Sequence, residues 1–475
     1  TALNISDIAW NAEEKSITVN SNVKIVIGEA AVWKDGVKTD LPAAPYLYEK
    51  TNYTYVPVDF FDYIPVAASQ IEAAAPADFV LEANNWAPGT LAALNGFMLK
   101  YGVNSPDYDS EKKPYVVFDF DNTTSFFDVE EALLIYQLEN LRFSIPRDKM
   151  FDVLTTEVPK DIFTDDYLNA AGEHLNIDIV AQDAQSDYEW LYDNYEGFGA
   201  GAVSLEDVRK TPQYQDFITK IRFLYDAIGS TFDAAVSYPW VTYLFTGMTP
   251  EEVNKLATES HDYWFAYTKW EKVKWTSPES LPGKAGVVSV SYKTSIAIPP
   301  ESKDLYTKLQ KNGFDVYVCS ASFIDVIEAL AYNPKYGLNV PKGNVYAMML
   351  KKDAAGRYLN AYDYDNYFQT QGPGKKQTID KFILPRYEGR GPLFVAGDSQ
   401  GDYNMITEYA DMRLGLIVNR VRGDDFQIIS KQAVDSIGDP NAKYVLQGRD
   451  ENKGVYVPSE ESVLLGSTEA LLVKE

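Results

Sequence analysis

The sequence predicts an α/β fold: a doubly wound parallel sheet with an inserted, mainly helical cap and a small β-rich N-terminal module. Short apolar runs at 115–118, 316–319 and 392–396 are typical of buried strands, and helical patterns separate them. Strands separated by helices form a parallel sheet, whose ligands gather at the carboxyl ends of its strands. The stretch between about 126 and 290 is longer, aromatic and largely helical, as an inserted domain would be.

The first 65 or so residues contain strands and turns. The segments 16–19 and 23–27 alternate or run apolar, and residues of turn type punctuate them: Gly28, Asp35-Gly36 and Asn52. The segment 73–77 has the composition of a linker. We therefore expect three domains, and their bounds are 1–72 for the β-rich module, 82–125 with 291–475 for the α/β core, and 126–290 for the cap.

Composition excludes several kinds of protein. The chain has 475 residues and a formal net charge of −26. This charge disfavours non-specific binding to nucleic acids and to anionic membranes, because a protein binds either of them through basic surfaces. The single cysteine, Cys319, excludes a disulfide framework and a cysteine-built zinc site. His174 and His261 lack the spacing of a paired-histidine metal site, and no apolar run is long enough for a membrane helix. The sequence identifies no protein partner.

Two carboxylates directly follow the predicted strand at 115–118. They are Asp119 and Asp121, in the motif D-F-D-N-T at 119–123. One carboxylate of such a pair can attack a phosphorus atom while the other moves protons on the leaving group. An Asn/Asp-rich turn that caps a helix is the alternative interpretation.

A serine and a lysine offer groups that suit phosphate. Ser320 ends the strand at 316–319 and precedes a helix, where its hydroxyl and free backbone N–H groups suit a phosphate oxygen. A plain N-cap serine is the alternative. Lys375 opens another helix and can neutralise charge on a transferring phosphoryl group, although on composition Lys376 is a near-equal candidate.

A second acidic segment, G-D-S-Q-G-D at 397–402, follows the strand at 392–396. Its carboxylates are Asp398 and Asp402, and hard carboxylate oxygens at strand ends suit Mg²⁺. A turn without chemistry is the alternative.

These four segments, in this order, resemble the four-motif pattern of the haloacid dehalogenase-like superfamily of phosphohydrolases. A closer resemblance, over roughly residues 82–470, is to the bacterial phosphorylcholine phosphatase family. The matching segments are VFDFDNT at 117–123, DVEEALL at 128–134, YPWV at 238–241, FTG at 245–247, LY at 305–306, KL at 308–309, VYVCSA at 316–321, NPKYG at 333–337, GK at 374–375 and VAGD at 395–398.

The N-terminal module has a resemblance of its own. The segment 44–58 is similar to the N-terminal module of copper amine oxidases, which recurs on secreted bacterial proteins. It implies no copper, and two histidines in the whole chain argue against a copper site. A β-module without chemical role is the expectation. From both resemblances we expect an extracellular, periplasmic or cell-surface protein whose signal peptide has been removed.

The superfamily resemblance implies a mechanism. Asp119 would be the nucleophile that forms an aspartyl-phosphate, and Asp121 the general acid and then the base. Thr123 and Ser320 would bind the transferring phosphoryl group. Lys375 would hold the nucleophile and the phosphate together.

The same resemblance implies Mg²⁺ as cofactor. Its ligands would be Asp119, Asp398 and the backbone carbonyl of Asp121, with Asp402 in the surrounding layer or in contact with a metal-bound water. The family comparison also implies that acids recognise the ammonium group of choline. Glu130 and Glu131 stand at the matching positions, and in the cap Asp226 is the best candidate. Aromatic side chains also attract such cations, and four are available nearby: Phe126, Phe127, Tyr238 and Trp240.

The sequence favours a secreted Mg²⁺-dependent phosphomonoesterase that acts on phosphocholine or a similar small phosphate. The first alternative is a related phosphatase for another small phosphomonoester, such as phosphoethanolamine or a sugar phosphate. The second is a cell-surface binding protein that kept the fold and lost catalysis. The presence of Asp119, Asp121, Lys375 and Asp398 argues against that second alternative.

Overall fold

The computed structural model describes residues 8–48, 53–56, 60, 63, 77–439 and 441–474. The chain forms two compact units. One consists of Thr1–Asp78 with Ile437–Pro440, and the other of Phe79–Ser436 with Asn441–Glu475. Most of the predicted linker at 73–77 and the predicted turn residue Asn52 lie outside the described residues.

The first unit contains an antiparallel sheet of five strands in chain order, which confirms the predicted β module. The strands are Ile8–Asn11, Ser16–Val19, Val23–Val26, Ala31–Lys34 and Val37–Asp40. Asp35 and Gly36 both have positive φ, as a two-residue hairpin turn with the twist of its strands requires. A separate hairpin pairs Tyr46–Tyr48 with Tyr53–Tyr55. Val23, Ile25 and Val32 form the centre of a small apolar core.

The second unit is built on a six-stranded sheet whose neighbouring strands are all parallel, which confirms the predicted fold class. In spatial order the strands are Val345–Met348, Asp315–Phe323, Tyr115–Phe118, Phe394–Gly397, Leu414–Val418 and Tyr444–Gln447. After the central strand Tyr115–Phe118, the next two strands of this sheet lie on one side of it and the last three lie on the other side. Such a switch point opens a crevice at the carboxyl ends of the strands.

Apolar side chains cover both faces of this sheet. Along the central strand, Val116 and Phe118 pack into one buried cluster, and Tyr115 and Val117 pack into another on the opposite face. This two-sided burial explains the uninterrupted apolar run at 115–118. The α-helices of the core are Pro88–Tyr101, Pro300–Lys311, Ile324–Ala331, Pro373–Thr378, Tyr403–Thr407 and Phe426–Asp435. A π-helix, Ile379–Ile383, extends the fourth of them.

The segment inserted between the first two strands of this sheet is mainly helical, as predicted. Its helices are Val129–Glu139, Met150–Leu154, Ile177–Asn194, Leu205–Val208, Pro212–Thr231, Ala234–Thr242 and Pro250–Ala266. Side-chain oxygens cap six of their N-termini, and the capping residues are Asp128, Asn176, Ser204, Thr211, Asp233 and Thr249. An antiparallel hairpin, Lys272–Thr276 with Ser289–Lys293, follows the last helix.

The remaining strands form small additions to the core. Leu350–Lys352 pairs with Tyr358–Tyr362. A four-stranded sheet near the C-terminus contains Val455–Tyr456, Arg449–Asp450, Ser462–Val463 and Ala470–Leu471. Within the described part of the chain, no helix is both long enough and apolar enough to cross a membrane.

Candidate active site

The residues that the sequence analysis predicts to be catalytic or metal-binding meet at the carboxyl edge of the parallel sheet. A cavity of about 350 Å³ is lined by Asp119, Asp121, Lys375 and Asp398. Asp119 and Asp121 follow the strand Tyr115–Phe118, and Asp398 follows Phe394–Gly397. Lys375 comes from the helix Pro373–Thr378. Segments that are 256 residues apart in sequence are therefore in direct contact, as the Lys375–Asp119 pair shows.

Lys375 bridges two carboxylates. Its Nζ donates to Asp119 Oδ1 and, at 2.6 Å, to Asp402 Oδ1. Burial alone would lower the pKa of Lys375, but these two carboxylates outweigh burial and raise it above its ordinary value. The lysine is therefore a fixed positive charge beside Asp119. Lys376 forms an ion pair with Asp380 instead, so the structure distinguishes the two lysines.

Thr123 and Asp402 fix the acids in place. The Thr123 hydroxyl lies 2.8 Å from Asp398 Oδ1 and 3.1 Å from Asp119 Oδ2. Asp402 Oδ2 accepts the backbone N–H groups of Asp398 at 3.0 Å and Ser399 at 3.2 Å. Gly397 permits this approach, because a Cβ there would lie 2.6 Å from the Asp402 Cβ. The loop at 397–402 is thus tied to the lysine.

Asp121 faces a different set of donors. Its Oδ1 accepts the backbone N–H of Val129 at 2.8 Å, and its Oδ2 lies 2.7 Å from Ser322 Oγ and 3.3 Å from Ser320 Oγ. Burial raises the pKa of Asp121 above its ordinary value, against the effect of these hydrogen bonds and of Lys375. A carboxyl group of this kind keeps a proton more readily than a solvated one, which suits a proton donor.

The strand that carries Ser320 is longer than predicted. It runs to Phe323, because its pairing with Val345–Met348 continues to Phe323, and the helix begins only at Ile324. Ser320 therefore lies within a strand and does not occupy a helix N-terminus. The sequence analysis missed Ser322, although it stands two residues on and therefore on the same face of the extended strand.

Three carboxylates form a cluster that suits a metal ion. Oxygens of Asp119, Asp398 and Asp402 lie within 4.8 Å of one another. Burial, followed by the Asp402 carboxylate, raises the pKa of Asp119 well above its ordinary value, and Lys375 acts in the opposite direction. If all four carboxyl groups are ionised, Asp121 included, these acids outnumber the positively charged side chains paired with them by two, and a divalent cation would offset that excess. Hard oxygen donors are those that Mg²⁺ prefers, so the residues fit the expected ion.

The paired cations are Lys375 and an arginine that the sequence analysis missed. Arg420 Nη1 lies 2.7 Å from Asp398 Oδ2. Burial would raise the pKa of Asp398, but Arg420 outweighs burial and holds it below its ordinary value. Arg420 stands two residues after the strand Leu414–Val418, so its place at a strand end was the available signal.

The three acids predicted to recognise the substrate alcohol differ in their surroundings. Glu130 lines the cavity, is buried, and accepts the backbone N–H of Phe323 at 3.0 Å. Arg222 pairs with both Glu131 and Asp226, each at 2.5 Å. Arg222 was also missed, although it precedes Asp226 by one helical turn, a spacing at which opposite charges pair. Asp226 lines the cavity with Glu130, whereas Glu131 lines an adjoining smaller one.

The four aromatic side chains that were predicted to attract the cation also differ in burial and contacts. Trp240 is buried and its Nε1 donates to the carbonyl of Leu154, and Phe126 is buried in the core. Lys293 lies over the Phe127 ring, 4.6 Å from its centroid. Tyr238 is 42% exposed and lines both cavities, so of these four it is the ring that a ligand can reach most freely.

Known proteins resemble separate parts of the chain. The model of the copper amine oxidase N-terminal domain matches residues 1–68. A phosphorylcholine phosphatase from Pseudomonas aeruginosa is 24% identical over 382 residues, which cover 75% of this chain and 86% of that protein.

Solved structures resemble the chain as well. A conserved, functionally unknown protein from Anaerococcus prevotii DSM 20548 is 31% identical with a TM-score of 0.75, over 80% of this chain and 98% of that one. A phosphoserine phosphohydrolase-like protein from Francisella tularensis subsp. tularensis SCHU S4 is 14% identical with a TM-score of 0.28, over 64% of this chain and 87% of that one.

Proposed function

We propose that this chain is a phosphoric monoester hydrolase of the haloacid dehalogenase-like superfamily, and that it uses Mg²⁺ and an aspartyl-phosphate to hydrolyse phosphocholine or a similar small phosphate. The observation that carries the proposal is the position of Asp119. It lines the cavity, is held by Lys375, and has a second carboxyl group, Asp121, two residues away in the same cavity.

Asp119 attacks the phosphorus atom and forms the aspartyl-phosphate. Lys375 keeps its charge beside the attacking oxygen and lowers the repulsion between the carboxylate and the phosphate dianion. Thr123 limits rotation of Asp119, because its hydroxyl contacts Asp119 Oδ2 and Asp398 Oδ1. The nucleophile is thus oriented before the substrate arrives.

Asp121 moves the protons. It donates one to the alcohol oxygen as the P–O bond breaks, and it then removes one from the water that attacks the aspartyl-phosphate. Ser322 and the backbone N–H of Val129 orient it in both steps. Inorganic phosphate leaves, and Asp119 returns to its starting form.

Mg²⁺ would be held by Asp119 and Asp398, with Asp402 near it, and when bound it supplies positive charge to the phosphate oxygens. Arg420 lowers the pKa of Asp398 against the effect of burial and so favours the ionised form that a metal ligand needs.

The acidic cavity supports a substrate with a cationic alcohol. Besides Asp119, Asp121 and Asp398, three further acids line it: Glu130, Asp226 and Asp128. A second candidate is another small phosphomonoester, such as a sugar phosphate. The adjoining cavity of about 260 Å³ favours it, because Lys293 and Arg422 line that cavity and can donate hydrogen bonds to hydroxyl oxygens.

Export from the cytoplasm is part of the proposal. It is supported by the match of residues 1–68 to a module that, by the resemblance described above, recurs on secreted bacterial proteins. Cell fractionation with an antibody against the chain tests it, and recovery of the full-length protein in the cytoplasm alone contradicts it.

The enzymatic proposal is tested with p-nitrophenyl phosphate, with and without EDTA, followed by phosphocholine, phosphoethanolamine and sugar phosphates. We expect turnover that EDTA removes and Mg²⁺ restores, and the highest kcat/KM for phosphocholine. Full turnover in EDTA contradicts the metal requirement. A preference for sugar phosphates supports the second candidate instead.

A further inference from the structure

The leaving group of the substrate must lie beside Asp121, because the proton donor has to reach the alcohol oxygen. Asp121 Oδ1 accepts the backbone N–H of Val129, which is the first residue of the helix Val129–Glu139. The N-terminus of this helix therefore borders the place where the alcohol lies. The residue that precedes it, Asp128, lines the same cavity as Asp121.

Asp128 has one committed oxygen and one available oxygen. Its Oδ1 accepts the backbone N–H groups of Glu130 and Glu131, each at 2.9 Å, and so caps the helix. Its Oδ2 takes no hydrogen bond from any residue that the structure describes. Asp128 also lies where the two cavities meet, since it lines both.

The other acids near the alcohol position are less available to a ligand. Arg222, only 3% exposed in its side chain, pairs with both Glu131 and Asp226. A cation that binds to either acid has to compete with this guanidinium. Glu130 has one oxygen on the backbone of Phe323 and is 5% exposed.

An aromatic surface completes the position. Tyr238 lines the larger cavity together with Asp128, whereas the Arg222 guanidinium lies over the ring of Tyr225, 4.9 Å from its centroid. A quaternary ammonium has no N–H group, so it can be bound only by charge and by contact with aromatic faces. We propose that Asp128, with Tyr238, is the specificity-determining residue that recognises the cationic alcohol of the substrate. This inference rests on the proposed function and adds the residue that selects the substrate.

The test compares Asp128→Asn with the wild type on phosphocholine and on p-nitrophenyl phosphate, whose alcohol portion carries no charge. Asparagine keeps the capping oxygen and cannot carry the negative charge that a bound ammonium group stabilises. We expect the ratio of kcat/KM for phosphocholine to that for p-nitrophenyl phosphate to fall at least tenfold, mainly through KM for phosphocholine. The inhibition constant of free choline against p-nitrophenyl phosphate should rise by a similar factor.

A matched control is Asp233→Asn. Asp233 caps the helix Ala234–Thr242 through the same two types of backbone contact, to Ala235 and Val236, but lines neither cavity. We expect it to leave the ratio unchanged. Glu130→Gln and Glu131→Gln complete the series, and each should change the ratio less than Asp128→Asn does.

The outcomes separate the two levels of the proposal. If the wild type prefers phosphocholine and Asp128→Asn keeps that preference, this inference is overturned and the proposed function stands. A larger loss in Glu130→Gln or Glu131→Gln than in Asp128→Asn overturns it in the same way. If the wild type hydrolyses neither substrate, the proposed function itself fails.

Discussion

Two buried lysines in this molecule bridge carboxylates in nearly the same way, and only one of them lies in the candidate active site. Lys375 contacts Asp119 and Asp402 at the edge of the sheet. In the cap, Lys220 contacts Asp183 at 2.9 Å and Asp216 at 2.6 Å. Both lysines are almost fully buried. A lysine between two acids is therefore no sign of catalysis by itself.

The difference lies in what the acids face. In the cap cluster, which consists of Asp183, Asp187, Asp216 and Lys220, none of the four lines either of the two cavities. The oxygens of Asp183 also accept the backbone N–H groups at 284 and 285, at 2.9 and 2.8 Å, so this cluster fastens a loop to its helices. The acids around Lys375 line a cavity or contact residues that do.

The two clusters also balance charge differently. Burial, with the neighbouring Asp216, raises the pKa of Asp187 to about 9, so the cap cluster relieves its excess of carboxylates by keeping a proton. In the cluster around Lys375 a divalent cation can fill that role. The comparison predicts that substitutions in the cluster around Lys375 lower turnover, whereas substitutions in the cap cluster lower stability.

The largest effect is expected for Asp119→Asn. A carboxamide is a poor nucleophile and a weaker Mg²⁺ ligand, so turnover should fall by at least about a thousandfold, or roughly 4 kcal/mol in the barrier. Activity is measured with p-nitrophenyl phosphate, and circular dichroism verifies the fold. Activity within about tenfold of the wild type would refute the nucleophile assignment.

The converse change is Lys220→Met in the cap. It leaves Asp183 and Asp216 buried without their cation, and removal of one partner from a buried pair costs about 3–5 kcal/mol. Denaturant unfolding should show this loss, while kcat of the folded protein stays within threefold. Lys210→Met is the control, because Lys210 pairs with Asp207 on the surface. A large fall in kcat for folded Lys220→Met protein would contradict the distinction between the clusters.

A smaller effect concerns pH. The unfolded chain releases the Asp187 proton near pH 4, whereas the folded chain keeps it up to about pH 9. The free energy of unfolding therefore falls as the pH rises through this window, by at most about 1.4 kcal/mol per unit from this group. Asp187→Asn does not titrate and should lose less stability between pH 5 and 9. Parallel pH profiles for the two proteins would show that Asp187 is already ionised.

Much of this organisation was predictable, because the signals are local. The apolar run at 115–118 and the acids that follow it identify a strand end, and parallel strand ends meet at one edge of a sheet. The sequence pattern therefore predicted that Asp119 and Asp398 meet, and the family resemblance added Lys375. Their chemical roles remain predictions.

Contacts between distant segments were not predictable in the same way. Arg222 comes from the cap helix Pro212–Thr231 and Arg420 from beyond the fifth strand. Helical spacing indicates the Arg222–Asp226 pair, but nothing near either arginine in sequence reveals its distant acidic partner, Glu131 or Asp398. Charge pairing across the fold decides which acids remain available to a substrate. For this reason Asp128, which appeared only as part of a matching motif, stands out once the structure is known.

The central claim is that Asp119 carries the phosphoryl group, and Asp121→Asn tests it most directly. p-Nitrophenol is a good leaving group that needs little help from an acid, but without Asp121 the attacking water loses its base. We expect a rapid release of nitrophenolate, then slow turnover, with phosphate covalently bound to the acid-quenched protein and located on Asp119 by peptide mass spectrometry. Nitrophenolate release with no phosphate bound to Asp119 during the slow phase would contradict the claim.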